Sequence, residues 1–98
     1  MVRQRTRSNV IRLSFSGPLT IYEVSDIRQK IAKAVIATKP LQIVTEQVTD
    51  IDCAGIQLLL TIDKARLAAD LPIVWDPPGQ SVLDMMQMLG MNGFSYPA

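Results

Sequence analysis

The segment from residue 41 to residue 69 constrains the fold more than any other part of the chain. Leu41 to Val48 mixes β-branched and polar residues, and its apolar positions at 41, 43, 44 and 48 suit an interior strand better than a surface one. Ile56 to about Ala69 carries apolar residues at helical spacing. Asp52 lies between them, where its carboxylate can accept a hydrogen bond from an unpaired amide of the helix start. A strand that leads through an N-cap into a helix is the building unit of an α/β fold.

The other segments extend this unit into a full order of elements. Residues 10 to 15 set Ile11, Leu13 and Phe15 against Val10, Arg12 and Ser14 with the period of two of a half-buried strand. Ser16-Gly17-Pro18 has the composition of a turn. Ser25 is a candidate N-cap, and so is Ser81, which has Asp84 at capping-box spacing. The pattern predicts strands at 10–15, 19–24, 41–48 and 72–76, and helices at 25–38, 56–69 and 81–90. This β-β-α-β-α-β-α order predicts an α/β fold with a mixed sheet, because helical crossovers make the later strands parallel.

The second helix has more apolar residues than one face of a sheet can cover. Leu58 and Ile62 fall on one stripe of the helix, whereas Ile56, Leu59 and Leu60 gather roughly opposite. Either the first and last helices bury the second stripe, or a partner protein covers it. The rest of the core is expected to comprise Ile27, Ile31, Ala34, Val35, Trp75, Val82, Met85, Met86 and Leu89.

The composition of the chain narrows the classes of protein to which it can belong. The 98 residues make one domain, and 48% hydrophobic with 19% charged residues is enough to bury a core. A formal net charge of +1 gives no overall field that would attract nucleic acid, so we expect no nucleic-acid partner. The longest apolar run, Leu58 to Leu60, is far shorter than the ~20 residues that cross a bilayer, which predicts a cytoplasmic protein without a membrane span.

Four of the ten basic residues crowd the N-terminus. Arg3, Arg5, Arg7 and Arg12 occur within the first twelve positions, where no acidic residue is present. We expect residues 1–9 to form a flexible, solvated terminus ahead of a single domain at 10–98. The alternative is an arm that binds phosphate or an acidic partner.

Few kinds of site chemistry are open to this chain. With no histidine and one cysteine it lacks Ser-His-Asp triads, Cys-His pairs, the usual zinc sites and an intrachain disulfide, and its five glycines form no phosphate-binding loop. A Mg²⁺ or Ca²⁺ site at Glu46, Asp50 and Asp52 is one interpretation, but capping by Asp52 explains the cluster better. Cys53 is either a thiol activated by the helix dipole or, as we expect, a small buried apolar side chain. We therefore expect that the protein is not an enzyme and that it binds no metal ion or cofactor.

Residues Val48 to Leu60, VTDIDCAGIQLLL, resemble the signature of STAS domains, the anti-sigma-factor-antagonist class. In that family a buried strand runs into a helix that begins with Asp, small hydroxyl or alanine residues, and Gly. The segments at 19–25, 64–66 and 81–91 are similar to the rest of the family pattern, so the resemblance covers about Val10 to Phe94. It implies a STAS-like fold and a function in docking onto a partner protein, such as an anti-sigma or histidine-kinase-like protein.

The chain departs from that pattern at two positions. Ala54 occupies the site where the regulated relatives carry a serine or threonine that a partner kinase phosphorylates, and a methyl group has no oxygen to accept phosphate. Val44 aligns with an acidic residue that family members often carry in the third strand. The resemblance therefore implies an adaptor that is not phosphorylated there, similar to the compact STAS proteins of chemotaxis operons and of lipid-asymmetry ABC transporters.

The predicted docking surface centres on the start of the second helix and on the turn before the third. Its residues are Asp52, Cys53, Ala54, Gly55, Ile56, Gln57, Leu60, Gly79 and Ser81. Many family members continue where this sequence stops at Ala98, so we expect a less covered sheet edge or groove that a homodimer or a partner element completes. The alternative function is a small-ligand or lipid-linked subunit of an ABC transporter system, and a pocket of several hundred Å³ beside Asp52 would favour a small ligand.

Overall fold

Seven elements follow one another in the computed structural model, which describes residues 1–91 and 93–94; the predicted domain end at Ala98 lies outside them. They are β1 (Val2–Arg7), β2 (Val10–Leu19), α1 (Val24–Ile36), β3 (Leu41–Ile51), α2 (Cys53–Ala68), β4 (Ile73–Trp75) and α3 (Gln80–Met88). The sheet has the order β1-β2-β3-β4. β1 runs antiparallel to β2, whereas β3 is parallel to both β2 and β4. The predicted mixed sheet and the order β-β-α-β-α-β-α are confirmed.

The first strand lies where the sequence predicted a flexible terminus, so that prediction is wrong for residues 2 to 7. They pair with β2 through the whole register from Val2 opposite Phe15 to Arg7 opposite Val10. Ser8 and Asn9 connect the two strands with φ angles of 51° and 67°. Two successive residues in the left-handed region make the tight turn that matches the twist of a hairpin. β1 remains solvated all the same, since five of its six residues are exposed.

The second strand also differs from prediction. Ser16-Gly17-Pro18 does not end β2, which continues to Leu19 with register irregularities between Ser14 and Ser16 and between Gly17 and Pro18. The predicted strand at 19–24 is wrong, because the chain turns at Thr20 and α1 begins at Val24. Ser25 therefore lies inside the helix, and Glu23 is its N-cap.

One hydrophobic cluster joins the sheet to all three helices. Its members include Ile11, Leu13, Phe15, Leu41 and Ile43 from the strands, Ile27, Ile31 and Ala34 from α1, Ile56, Leu58, Leu59 and Ile62 from α2, and Val82 and Met86 from α3. Packing within the domain thus buries Leu58 and Ile62 of the first stripe and Ile56 and Leu59 of the second. On the second stripe Leu60 is half-buried and Leu67 is 51% exposed, so the fold covers most but not all of that stripe. Leu89, expected in the core, is 45% exposed.

Trp75 is buried, as predicted, and it anchors the short strand β4. Its indole Nε1 donates a hydrogen bond to Oδ1 of Asp63 on α2 at 2.9 Å. Its ring stacks on that of Phe94, with centroids 4.1 Å apart and planes inclined by 11°. The two contacts hold β4 between α2 and the segment that follows α3.

Arg66 is a charged side chain placed inside the fold, with 0% of its surface exposed. Nη1 donates to the carbonyl oxygens of Val35 (3.1 Å) and Ala37 (2.6 Å), at the end of α1. Nη2 donates to those of Lys39 (2.8 Å) and Pro72 (2.6 Å), which precede β3 and β4. Burial lowers the pKa of this guanidinium from its ordinary value. One side chain therefore satisfies four carbonyls and ties together the connections into two strands.

Candidate functional site

Asp52 organises the start of α2, and it does more than the predicted capping. Oδ1 accepts a hydrogen bond from the amide of Gly55 at 3.0 Å, which confirms Asp52 as the N-cap. Oδ2 accepts a second one, also at 3.0 Å, from the amide of Ile21 in the connection between β2 and α1. These backbone hydrogen bonds, Ile21 first, lower the pKa of the carboxyl from its ordinary value of 3.8. Asp52 thus fixes the β2–α1 connection against the helix start.

The connection held by Asp52 presents two large apolar side chains to solvent. Ile21 is 64% exposed and Tyr22 is 89% exposed. Their backbone is ordered from the other side by Glu23, whose Oε1 accepts hydrogen bonds from the amide (2.8 Å) and the hydroxyl (2.6 Å) of Thr20. The same bonds, that from the hydroxyl first, lower the pKa of Glu23. Sequence reasoning missed both exposed residues because it placed them in a strand.

The first turn of α2 adds a polar part to this surface. Cys53 and Gln57 are exposed, whereas Asp52 and Ala54 are half-buried. The expectation of a buried Cys53 is wrong: as the first residue of the helix, beyond the last residue of β3, it has its side chain in solvent. We call Ile21, Tyr22, Asp52, Cys53, Ala54 and Gln57 the α2-start surface.

Three residues of the predicted docking surface are buried and shape the site from below. Ile56 belongs to the core. A Cβ on Gly55 would overlap the carbonyl oxygen of Leu19 and lie 2.7 Å from Cγ1 of Ile51. A Cβ on Gly79 would lie 2.8 Å from the carbonyl oxygen of Glu46. For these three residues the prediction is corrected: the two glycines let the helix starts approach β2 and β3 closely, Ile56 packs in the core, and none of the three offers an exposed side chain to a partner.

Ser81 and Leu60 hold the surroundings of the surface in place. The Ser81 hydroxyl donates to the carbonyl oxygen of Thr49, at the end of β3, at 3.1 Å. The predicted capping box of Ser81 and Asp84 is wrong, because Gly79 is the N-cap of α3 and no side chain caps it. Leu60 is half-buried and packs against the core.

The family of the chain follows from its match to known proteins. A family model described as "Mlab, STAS domain" matches residues 2–96. The chain is a STAS domain. A comparison of its sequence with curated proteins found no match.

Solved structures confirm the fold of this STAS domain. The anti-sigma factor antagonist SpoIIAA in its unphosphorylated form is 20% identical with a TM-score of 0.75, over 100% of this chain and 88% of that one. Bacillus SpoIIAA in the phosphorylated form is 19% identical, with a TM-score of 0.72 over 100% and 91% of the two chains. A Thermotoga maritima protein assigned as an anti-sigma factor antagonist is 14% identical, with a TM-score of 0.75 over 91% and 78%. The STAS domain therefore has the fold of the anti-sigma-factor antagonists.

The carboxylate at the centre of the α2-start surface of this STAS domain is engaged by the backbone. Both oxygens of Asp52 already accept amide hydrogen bonds. In residues 1–91 and 93–94 no group of three or more acidic, cysteine or histidine side chains is placed to hold a metal ion. A cleft of about 470 Å³ is present, but Arg3, Arg5, Arg12 and Glu46 are among its lining residues, and Asp52 is not. The same described part of the chain contains no helix long and apolar enough to cross a membrane.

Proposed function

We propose that this STAS domain is a non-catalytic module that binds a protein partner through the α2-start surface and so regulates or supports a bacterial signalling or transport system. The observation that carries the proposal is the double hydrogen bond of Asp52, to Ile21 and to Gly55. It brings exposed apolar side chains of the β2–α1 connection beside the exposed first turn of α2. A cytoplasmic location is part of the proposal.

The composition of the surface supports a protein as the partner. Tyr22 and Ile21 are large and mostly exposed, and tyrosine is among the residues that contribute most to protein interfaces. The Asp52 carboxylate holds the amide of Ile21 and the Glu23 carboxylate holds that of the preceding Thr20, so less conformational entropy is lost on binding. On the adjoining first turn of α2, Cys53, Ala54 and Gln57 add small and polar groups, which are common at the rim of an interface.

Two classes of partner agree with the sequence: a chemotaxis component and a component of a lipid-asymmetry ABC transporter. The solved relatives are described as anti-sigma factor antagonists, which supports a protein as the binding partner. Ala54 supports a constitutive adaptor, because its methyl group cannot carry a phosphate at the helix start. The genes next to the one that encodes this chain would separate the two classes.

The single cysteine provides a direct test. Cys53 is exposed, so the unmodified protein can be labelled there with a benzophenone maleimide and irradiated in extract of its native cells. We expect one dominant crosslinked protein, identified by mass spectrometry. The matched control carries the cysteine on the exposed far part of α2, as the double variant Cys53→Ala, Ala65→Cys, and is expected not to crosslink to that protein.

A second variant separates docking from folding. Ala54→Asp places a carboxylate at the positive end of α2, where it changes stability by less than about 1 kcal/mol. If a partner covers Ala54, the buried carboxylate weakens binding by more than roughly tenfold, and the Cys53 crosslink disappears. Ala65→Asp, on the same helix, should leave the crosslink intact. Equal crosslinking of the labelled parent, the control position and Ala54→Asp would contradict the proposed surface.

A further inference from the structure

Several arginines lie on the face of the sheet opposite the core. Ile11, Leu13 and Phe15 of β2 point into the core, so Arg12 and Ser14 between them lie on the other face. In register, Arg5 of β1 lies directly opposite Arg12, and Arg3 lies opposite Ser14. All three arginines line the cleft of about 470 Å³. We call this region the β1–β2 arginine cleft.

Within residues 1–91 and 93–94, no acidic side chain forms an ion pair with these arginines. The ion pair found there is that of Lys30 and Asp26 on α1. Glu46 lines the same cleft but is not paired with an arginine. Like charges directly opposite on antiparallel strands destabilise the pair, and Arg5 faces Arg12 in this way. In the described part of the chain these three arginines therefore have no ion-pair partner, although the net charge of the chain is only +1.

We propose that the β1–β2 arginine cleft binds an extended acidic segment of a partner protein, whose carboxylates pair with Arg3, Arg5 and Arg12. The planar guanidinium group binds a carboxylate through two parallel hydrogen bonds, which suits arginine better than lysine to this task. β1 is also an edge strand of six residues. A segment that pairs with its free edge places every second side chain on the face that carries the arginines.

A protein segment fits the cleft better than other polyanions. Single-stranded nucleic acid binds such grooves by stacking bases on aromatic rings, and Phe15, the aromatic residue among those that line the cleft, is 1% exposed and belongs to the core. Glu46 would repel a continuous row of phosphates, from nucleic acid or from a bilayer, whereas a protein segment can place an amide or hydroxyl opposite it.

A second copy of this chain is a poor occupant of the same edge. If two β1 strands paired into a continuous sheet with their open faces on the same side, Arg3, Arg5 and Arg7 would meet the arginines of the other copy. The resulting like-charge pairs oppose that arrangement. The predicted homodimer is therefore not favoured at this edge.

The test is a titration of the ¹⁵N-labelled protein, followed by NMR, with a six-residue peptide of alternating glutamate and threonine, the length of β1. We expect amide shifts confined to residues 2–7 and 10–16, weakened by salt. The double variant Arg5→Thr, Arg12→Thr should bind the peptide at least roughly tenfold more weakly. It should melt no lower than the parent, since threonine suits a strand and the like-charge pair is gone. The control for charge alone is the double variant Lys30→Thr, Lys33→Thr on α1, which should bind the peptide as tightly as the parent does.

The outcomes separate this proposal from the α2-start surface. Ala54→Asp should leave peptide binding unchanged, and Arg5→Thr, Arg12→Thr should leave the Cys53 crosslink to the partner's main docking region intact. Equal shifts with a glutamine–threonine peptide, or shifts outside β1 and β2, would overturn the proposal. So would tighter, arginine-dependent binding of phosphatidylglycerol vesicles or of a short DNA strand, because the occupant would then be a membrane or a nucleic acid.

Discussion

The carboxylate of Asp52 binds the backbone amide of Ile21, 31 positions earlier in the chain, while it caps α2 through Gly55. Asp52→Asn separates the two roles, because asparagine caps helices as well as aspartate does but has only one acceptor oxygen. We expect the cap to persist and the hydrogen bond to Ile21 to be lost. This loss should lower the unfolding free energy by about 1 kcal/mol. Faster hydrogen exchange at the Ile21 amide is the direct readout. Asp70→Asn, an exposed residue in the left-handed region, is the control and should change neither quantity.

The same carboxylate makes the fold sensitive to acid. The pKa of Asp52 is lowered in the folded protein from 3.8, so its contribution to stability is fully present above that value and is lost as the pH falls through the lower, folded pKa. Glu23, whose pKa is also lowered, acts in the same direction. Urea unfolding of the parent and of Asp52→Asn should give a constant difference above about pH 5 and a smaller one below the ordinary pKa. A difference that grows in acid would contradict this assignment.

Gly55→Ala should destabilise the protein. In a free helix interior alanine is better than glycine by roughly 0.5 to 1 kcal/mol. Here the added methyl group would overlap the carbonyl oxygen of Leu19, a backbone atom, and crowd Ile51. Overpacking of this kind typically lowers the unfolding free energy by about 1 to 3 kcal/mol, which thermal and urea denaturation can measure. A more stable Gly55→Ala protein would show that the close approach of α2 to β2 is not needed.

Arg66→Met should be among the most damaging single substitutions. Methionine fills a similar volume but removes the guanidinium donor from the carbonyls of Val35, Ala37, Lys39 and Pro72, of which Pro72 keeps the hydrogen bond from the Leu41 amide. We expect a loss of at least about 3 kcal/mol, and Arg66→Lys should recover only part of it because an ammonium lacks the forked geometry. The control is the exposed Arg28→Met on α1, which should stay within about 0.5 kcal/mol of the parent. An Arg66→Met protein as stable as the parent would mean that desolvation of the charge cancels its hydrogen bonds.

Residues 52 to 55 should carry no phosphate in protein purified from its native cells, because neither Cys53 nor Ala54 has a hydroxyl. Peptide mass spectrometry is the measurement. The variant Ala54→Ser restores a hydroxyl and shows whether those cells contain a kinase that modifies this position. Stoichiometric phosphate on Thr49, which is exposed at the end of β3, would show that a regulatory site has moved and would contradict an adaptor without a switch.

The segments that could be predicted from the sequence are those in which a local pattern and the tertiary fold agree. Asp52 follows a strand and precedes an apolar helix, and it is the N-cap as expected. Trp75 and the apolar stripe of α1 at Ile27, Ile31 and Ala34 are buried as expected. At these positions the residue type has one favourable environment, so the pattern was sufficient.

The errors occurred where a second signal competed with the first. Ser16-Gly17-Pro18 looked like a turn, but β2 absorbs it as an irregularity and the chain turns four residues later. Thr20 and Glu23 have the spacing of a capping box, a signal that would have indicated a helical turn just before α1 and so removed Ile21 and Tyr22 from the predicted strand. The arginines of β1 suggested a solvated terminus, since strand formation there depends on pairing with β2.

Burial of charge was the feature least accessible to sequence reasoning. Arg66 sits near the end of α2, where a basic side chain ordinarily points to water and favours the helix dipole. Its burial depends on four carbonyl groups from the end of α1 and from the α1–β3 and α2–β4 connections, which no local pattern reveals. Gly79 is similar, because its need for a small residue comes from the backbone of β3 at Thr45 and Glu46.

The ring stacking of Trp75 and Phe94 gives the protein a built-in optical probe. Trp75 is the only tryptophan of the chain, so its emission comes from a single, known environment. An indole that is 8% exposed, bonded to Asp63 and stacked on Phe94 should emit at shorter wavelength than one in water. Release of Phe94 alone would uncover one face of the ring while the strand stays folded. A red shift that precedes the loss of helical circular dichroism would therefore time the detachment of this segment separately from global unfolding.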